Sequence, residues 1–307
     1  MTETQRNLPR DYRHNFTAFT VDYVAFVTGM YFISSNTVIP SFIRQLTNSA
    51  PLVGLGGTLF SVTLLLPQLL VAKIVEGKPR KLPYLIAALP GRILLPVIAV
   101  ALWSGLAGKP ETMLLVFFVA VSLFGATDAF VTLPVLDILA RAIPANRRGR
   151  LFGLSQVIVG IAGIGAGAII ASILGASGPS FPKNYALLFT IATVFLIPST
   201  SALLLLKEPA PGSHQEPTQP TRVGNWLRFL VDDTDFRRLI VCRVLLGGAG
   251  LAVPFFVGHA EDVLQLPGGI IGAFVIAQTL GSILASAAFG AISDRWGPRY
   301  VARVGSA

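Results

Sequence analysis

The chain has 307 residues, of which 53% are hydrophobic and only 13% charged, about half the charge of an ordinary soluble domain. That is too little charge for the water-facing surface of two soluble domains, and one cysteine, Cys242, excludes an internal disulfide or a CxxC site. Composition therefore excludes a soluble enzyme, a disordered tail and a disulfide-stapled secreted module, and leaves an integral, polytopic, all-α membrane protein.

A bilayer core of about 30 Å needs roughly 20 apolar helical residues. The segments 16–39, 51–73, 82–104, 112–139, 151–175, 184–206, 239–258 and 268–291 meet that need, so about eight transmembrane helices are expected. Each is apolar on every side, whereas a barrel strand alternates over about ten residues. The polar start, with Arg6, Arg10 and Arg13, leads into an apolar run too long for a signal-peptide core, and no small-residue cleavage site follows it. The first segment is therefore read as a retained helix. Arg92 falls in the third segment, Asp128 in the fourth, and the fifth is rich in small residues, including Gly163-x-x-x-Gly167, a close-packing spacing. A proline-rich stretch, 207–222, follows the sixth and reads as a flexible linker. After it, 225–238 mixes Trp226, Leu227, Phe229, Leu230 and Phe236 with acids and paired arginines. This is either a short amphipathic surface helix or a solvated lead-in to the seventh span. The division expected is thus 1–206, a linker at 207–238, and 239–307.

The net charge of +9 acquires meaning when the cations are sorted by loop. With a cytoplasmic N-terminus, 19 of the 24 Lys and Arg fall on the inner side and three on the outer, with Arg92 and Arg243 inside spans. This is the positive-inside pattern, and it accounts for the basicity without nucleic acid as a partner. The expected location is the inner membrane of a bacterial type of cell.

An internal repeat is visible. The eighth segment runs into Gly290-Ala-Ile-Ser-Asp294-Arg295-Trp-Gly297-Pro-Arg299, and the second runs into Ala72-Lys-Ile-Val-Glu76-Gly-Lys-Pro-Arg80-Lys81. Both place a small residue, an acid four positions on, and a base near the end. Paired halves of similar layout are common among secondary transporters. The stretch 290–299 resembles the signature loop of the major facilitator superfamily (MFS), G-x-x-x-D-R-x-G-x-R, and 72–81 resembles a degenerate copy. Arg147-Arg148-Gly149-Arg150, entering the fifth segment, is similar to the family's fourth-to-fifth loop.

The resemblance implies twelve helices in two six-helix halves, of which this chain would carry the first eight as a C-terminally truncated fragment. It implies that Gly290, Asp294, Arg295, Gly297 and Arg299, with Glu76, Arg80 and Lys81, form loops that latch the halves. It also implies that helices one, four, seven and ten line a central cavity, which makes Asp22, Asn36 and Asp128 cavity candidates.

Charges within spans cost about 2.5–3.5 kcal/mol each on insertion scales, so each needs a reason. Arg92 and Asp128 lie at comparable depth with opposite sign, and a salt bridge between them is expected. Carboxylates removed from water bind protons more readily, making Asp22 and Asp128 candidates for a coupling proton. The three His lie outside the spans without metal spacing, and no Walker-type GxxxxGK[ST] is present. No enzyme, cofactor or metal site is expected. The reading is a secondary transporter moving a small-molecule solute across the lipid bilayer by alternating access. The alternative is a non-transporting scaffold or membrane enzyme with the same fold.

Overall fold

The computed structural model describes residues 10–75, 78–209 and 233–296, and these are helical with short connections. A chain in hydrocarbon must satisfy its own backbone N–H and C=O groups, and the helix does so within one segment. Among the described residues, five helices are long and apolar enough to cross a membrane: Ala50–Val75, Leu82–Trp103, Pro110–Ala142, Ala145–Leu174 and Lys183–Leu204. They are the second to sixth spans. The eighth is the helix Ile270–Trp296, with its apolar stretch at Ile270–Ser286.

The first and seventh spans are interrupted. Tyr12–Phe32 gives way to a turn before Val38–Arg44, and Thr234–Gly248 is joined to Val253–Asp262 by a 3-10 turn at Ala249–Ala252. Helix Thr234–Gly248 begins five residues before the 239 boundary expected from the sequence, while 225–232 of the expected amphipathic segment lie outside the described residues. Within the third span, the helices Leu82–Ala88 and Leu94–Trp103 flank a 3-10 stretch, Leu89–Ile93, with Pro90 at its start. Proline has no N–H to donate and cannot continue the i→i−4 ladder there.

Packing sorts the spans. The first lies against the fifth and sixth, the second and third against the fourth, the third also against the sixth, and the fifth against the eighth. Among the described residues, two large apolar clusters form most of the interior, beside a small third one at Val71, Val75 and Ala129. One gathers Phe42, Phe117, Phe124 and Phe189 toward the end opposite the cationic loops, with the rings of Phe42 and Phe117 centred 5.3 Å apart. The other, toward the cationic end, gathers Phe19, Leu85, Leu89, Ile138 and Leu203. Outward-facing side chains are equally apolar. Leu66, Leu70, Ile93, Val100 and Ile197 are all more than 60% exposed, an arrangement suited to lipid and hostile to water.

The fifth and eighth spans pack against each other. A Cβ on Gly160 would meet Ile283, one on Gly163 would meet Thr279 and Tyr31, and one on Gly167 would meet Ile276 and the Gly272 carbonyl. Nearer the cationic end, a Cβ on Gly149 or Gly153 would meet nothing among the described residues. The two helices are therefore packed from mid-span to the far end.

The far end carries a further tie. Arg44, at the tail of the first span, pairs with Asp262 and lies 3.7 Å from Glu261, at the end of the seventh. Ser41 exchanges a 2.7 Å hydrogen bond with Tyr185 of the sixth span and donates to Glu261 at 3.3 Å.

Candidate functional site: a buried ion cluster at the seam of two cores

Four spans pass from one apolar cluster to the other, and each places a polar residue at the crossing. Asp22 lies between Phe19 and Phe26 of the first span, and Arg92 between Leu89 and Leu95 of the third. Asp128 lies between Phe124 and Val131 of the fourth, and Ser199 between Leu196 and Leu203 of the sixth. Gly91 allows this convergence, because a Cβ there would run into Thr127 of the fourth span.

Arg92 is the hub. Its Nη1 donates to Ser199 Oγ at 2.6 Å and to Thr200 Oγ1 at 3.2 Å. Its Nη2 stands 3.7 Å from Asp22 Oδ1 and 3.8 Å from Asp128 Oδ1. Those separations exceed hydrogen-bond length, so the guanidinium lies between the carboxylates without seating in either. Ser199 Oγ completes the link to one side by donating to Asp22 Oδ1 at 2.6 Å. The Phe26 ring covers the guanidinium carbon from 5.2 Å, a cation–π contact that strengthens away from water. Asp128 Oδ1 and Arg92 Nε are buried without a hydrogen-bond partner among the described residues.

One cation faces two anions. In a low-dielectric interior such a cluster is held only by its mutual attraction and its hydrogen bonds, and a net negative charge there invites a further cation.

The structure thus gathers three of the sequence-predicted residues, Asp22, Asp128 and Arg92. Asp22 and Asp128 face Arg92 between spans one, three, four and six. Asn36 is separate, half-buried in the turn between the two parts of the first span. Ser199, Thr200 and Phe26 escaped the sequence reading. The signal that could have found the first two is the polar run Pro198-Ser-Thr-Ser201, which interrupts an otherwise apolar sixth span.

At the cationic end, the reading of 207–222 as a flexible linker fails for its first residues. Lys207 N–H donates to Asn15 at 3.0 Å. The Glu208 carboxylate accepts the Lys81 and Leu82 backbone N–H groups at 2.8 and 3.0 Å and pairs with Arg141 at 2.6 Å. A carboxylate at a helix N-terminus satisfies donors that the helix itself leaves free, and this is what holds the segment.

Of the expected latch residues, Arg80 is exposed beside the third span, and Lys81 turns its ammonium to the Val75 carbonyl. Gly290, Asp294 and Arg295 fall in the helix Ile270–Trp296, whereas Glu76, Gly297 and Arg299 lie outside the described residues.

The fold has known relatives. The family model of the Major Facilitator Superfamily matches residues 23–307. Among solved structures, the chain is similar to a bacterial homologue of the human lysosomal transporter Spinster in an inward-facing and unoccupied conformation, at 15% identity and a TM-score of 0.68. The match covers 95% of this chain and 64% of that one, so the chain spans about two-thirds of the length of the protein it resembles. At this identity the likeness is one of fold. No curated protein matches the chain. With a family match over all but its first 22 residues and a helical fold to accompany it, the chain belongs to the major facilitator superfamily of membrane transporters.

Proposed function

We propose that the protein is a secondary transporter that moves a small organic solute by alternating access, with the Arg92 cluster as its proton-coupling centre. The observation that carries this reading is the charge imbalance in the cluster: Asp22 and Asp128 share one guanidinium, at 3.7 and 3.8 Å. A proton on either carboxylate balances the charge. It also frees Arg92 to close on the other, shifting the first and fourth spans relative to the third and sixth. An element with two such arrangements is what a bound proton can bias.

With the cationic loops placed in the cytoplasm, the tie at Arg44 closes the outer side. That arrangement supports an inward-facing state, with residues 1–206 and 239–307 belonging to two halves and the segments 76–81 and 290–299 as latches between them.

The test is flux in proteoliposomes carrying the full-length protein, with an imposed pH gradient and a panel of small organic solutes. Gradient-driven uptake is expected for at least one solute. Asp22→Asn or Asp128→Asn should abolish the gradient dependence while leaving solute exchange. Gradient dependence unchanged in both variants would remove the coupling role, and absence of any flux would favour a non-transporting scaffold.

A further inference from the structure

A groove runs between the third and sixth spans, on the side turned toward the bilayer. It consists of two cavities of about 710 and 510 Å³ that share Ile86. The larger opens at the cationic end, with Arg80 and Lys207 on its rim. The smaller continues inward past Pro90, Ile93 and Pro96 of the third span to Ile197 and Thr193 of the sixth.

The sequence explains why the groove exists. Prolines recur at 83, 90 and 96 along the lining face of the third span, and the 3-10 stretch at 89–93 narrows the helix there. The sixth span faces it with Thr193, Thr200 and Ser201, side chains too short to fill the gap.

Charge and length then identify the occupant. From Ile86 to Pro96 is ten helical residues, about 15 Å, which is the hydrocarbon depth of one leaflet. The walls are apolar and open sideways, Ile93 and Ile197 each being 62% exposed. Apart from Arg92 on the floor, whose guanidinium is engaged by Ser199, Thr200 and the two carboxylates, the basic residues that line the groove, Arg80 and Lys207, lie at its membrane-surface end. Glu208 also lies on that rim, but its oxygens are taken by Arg141 and by the Lys81 and Leu82 N–H groups. Lys207 Nζ pairs with Asp11 at 3.0 Å while its side chain stays 56% exposed, within reach of a second anion. A free anion would use the rim and ignore 15 Å of apolar channel. A neutral lipid would use the channel and ignore the rim.

We propose that this groove is a binding site for one anionic phospholipid, its phosphate between Arg80 and Lys207 and one acyl chain laid along the groove. Arg92 lines the groove floor, so the acyl chain also seals the ion cluster from sideways entry of water. The site itself stands independently of the proton-coupling reading.

The test is native mass spectrometry of the full-length protein, released from detergent carrying equal amounts of phosphatidylglycerol and phosphatidylcholine. Wild-type protein should retain phosphatidylglycerol with a preference of roughly thirty-fold, about fivefold for each of two cations near the membrane surface. Arg80→Gln with Lys207→Gln should abolish the preference. Ser201→Phe, which fills the groove and leaves the rim intact, should lower retention of phosphatidylglycerol to that of phosphatidylcholine. Equal retention of the two lipids by wild-type protein would overturn the proposal. So would full retention by Ser201→Phe, which would reduce the site to a basic surface. Both of these readings stand even where the double variant fails to fold.

Discussion

Ser199 of the sixth span donates a 2.6 Å hydrogen bond to Asp22 of the first, and through this hydroxyl Arg92, itself 3.7 Å from the carboxylate, is joined to it. The arrangement ranks the cost of substitutions. Ser199→Ala leaves Asp22 and Arg92 each short of a partner and should destabilise by about 1–3 kcal/mol, the penalty for stranding a buried polar group. Arg92→Gln leaves two buried carboxylates without their cation and should cost more, about 3–5 kcal/mol. Ser199→Thr, which keeps the hydroxyl, should recover part of the loss. Thermal unfolding in detergent at neutral pH gives the order directly. A Ser199→Ala variant as stable as wild type would mean that the hydroxyl link carries no energy.

The fifth span offers a paired comparison two residues apart. Gly167 faces the eighth span so closely that a side chain would overlap Ile276 and the Gly272 carbonyl, whereas a Cβ on Gly165 meets nothing within 4 Å among the described residues. Gly167→Leu should force the helices apart and sharply lower both the yield of folded protein and any transport. Gly165→Ala should be tolerated, with a stability change within about 1 kcal/mol. Equal effects from the two would show that the interhelical contact is not what constrains Gly167.

At the far end, Arg44→Glu would set a third acid against Glu261 and Asp262 in place of the ion pair. Spin labels at Asn48→Cys and Leu264→Cys, in a Cys242→Ser background since Cys242 is exposed, report the spacing of the two ends. The charge reversal should shift the population toward a longer separation by roughly fivefold, the low end of conformational coupling strengths. Converting Glu261 and Asp262 to Arg in the same chain should restore the shorter distance. A distribution unmoved by Arg44→Glu would show that apolar packing alone, such as Gly57 against Pro254, closes this end.

Much of this architecture is legible in the sequence, and the reason is thermodynamic. Hydrocarbon penalises every unpaired polar group, so span positions follow from apolar length, and an intramembrane charge such as Arg92 or Asp128 announces itself. The same logic paired those two at similar depth. It did not reach Ser199, because a hydroxyl can satisfy itself on its own helix backbone, as Thr193 does on Phe189, and so leaves no sign of an interhelical role. Nor did it reach the break in the third span. Pro90 marks it, but Pro134 and Pro198 lie inside helices that continue through them. Lys207–Pro209 misled for a different reason. Proline-rich composition reports low packing content on average, while a single carboxylate at a helix N-terminus, Glu208, is enough to dock the first residues.

Glu208 makes that docking pH-dependent. Burial alone would raise its carboxyl, but the Lys81 N–H, the Arg141 guanidinium and the Leu82 N–H together outweigh it and hold the group below its ordinary value of 4.5. A carboxylate with a lower pKa in the folded than in the unfolded chain contributes stability that is fully present above the unfolded value. That stability is lost as the pH falls through the folded one. The contribution of Glu208 is therefore complete at pH 6 and should decline below about 4.5. Glu208→Gln removes the charge but keeps an oxygen for one backbone N–H, and should cost about 2 kcal/mol at neutral pH, the scale of hydrogen bonds to a charged group. Asp262, held low by Arg44, titrates in the same acid range, so the informative quantity is the difference between wild type and Glu208→Gln. Measured as thermal midpoints from pH 7 to pH 3, that difference should be constant down to about pH 5 and then shrink toward zero. A difference that persists undiminished at pH 3 would mean that the Gln side chain disturbs packing and that the ion pair with Arg141 is not the source of the stability.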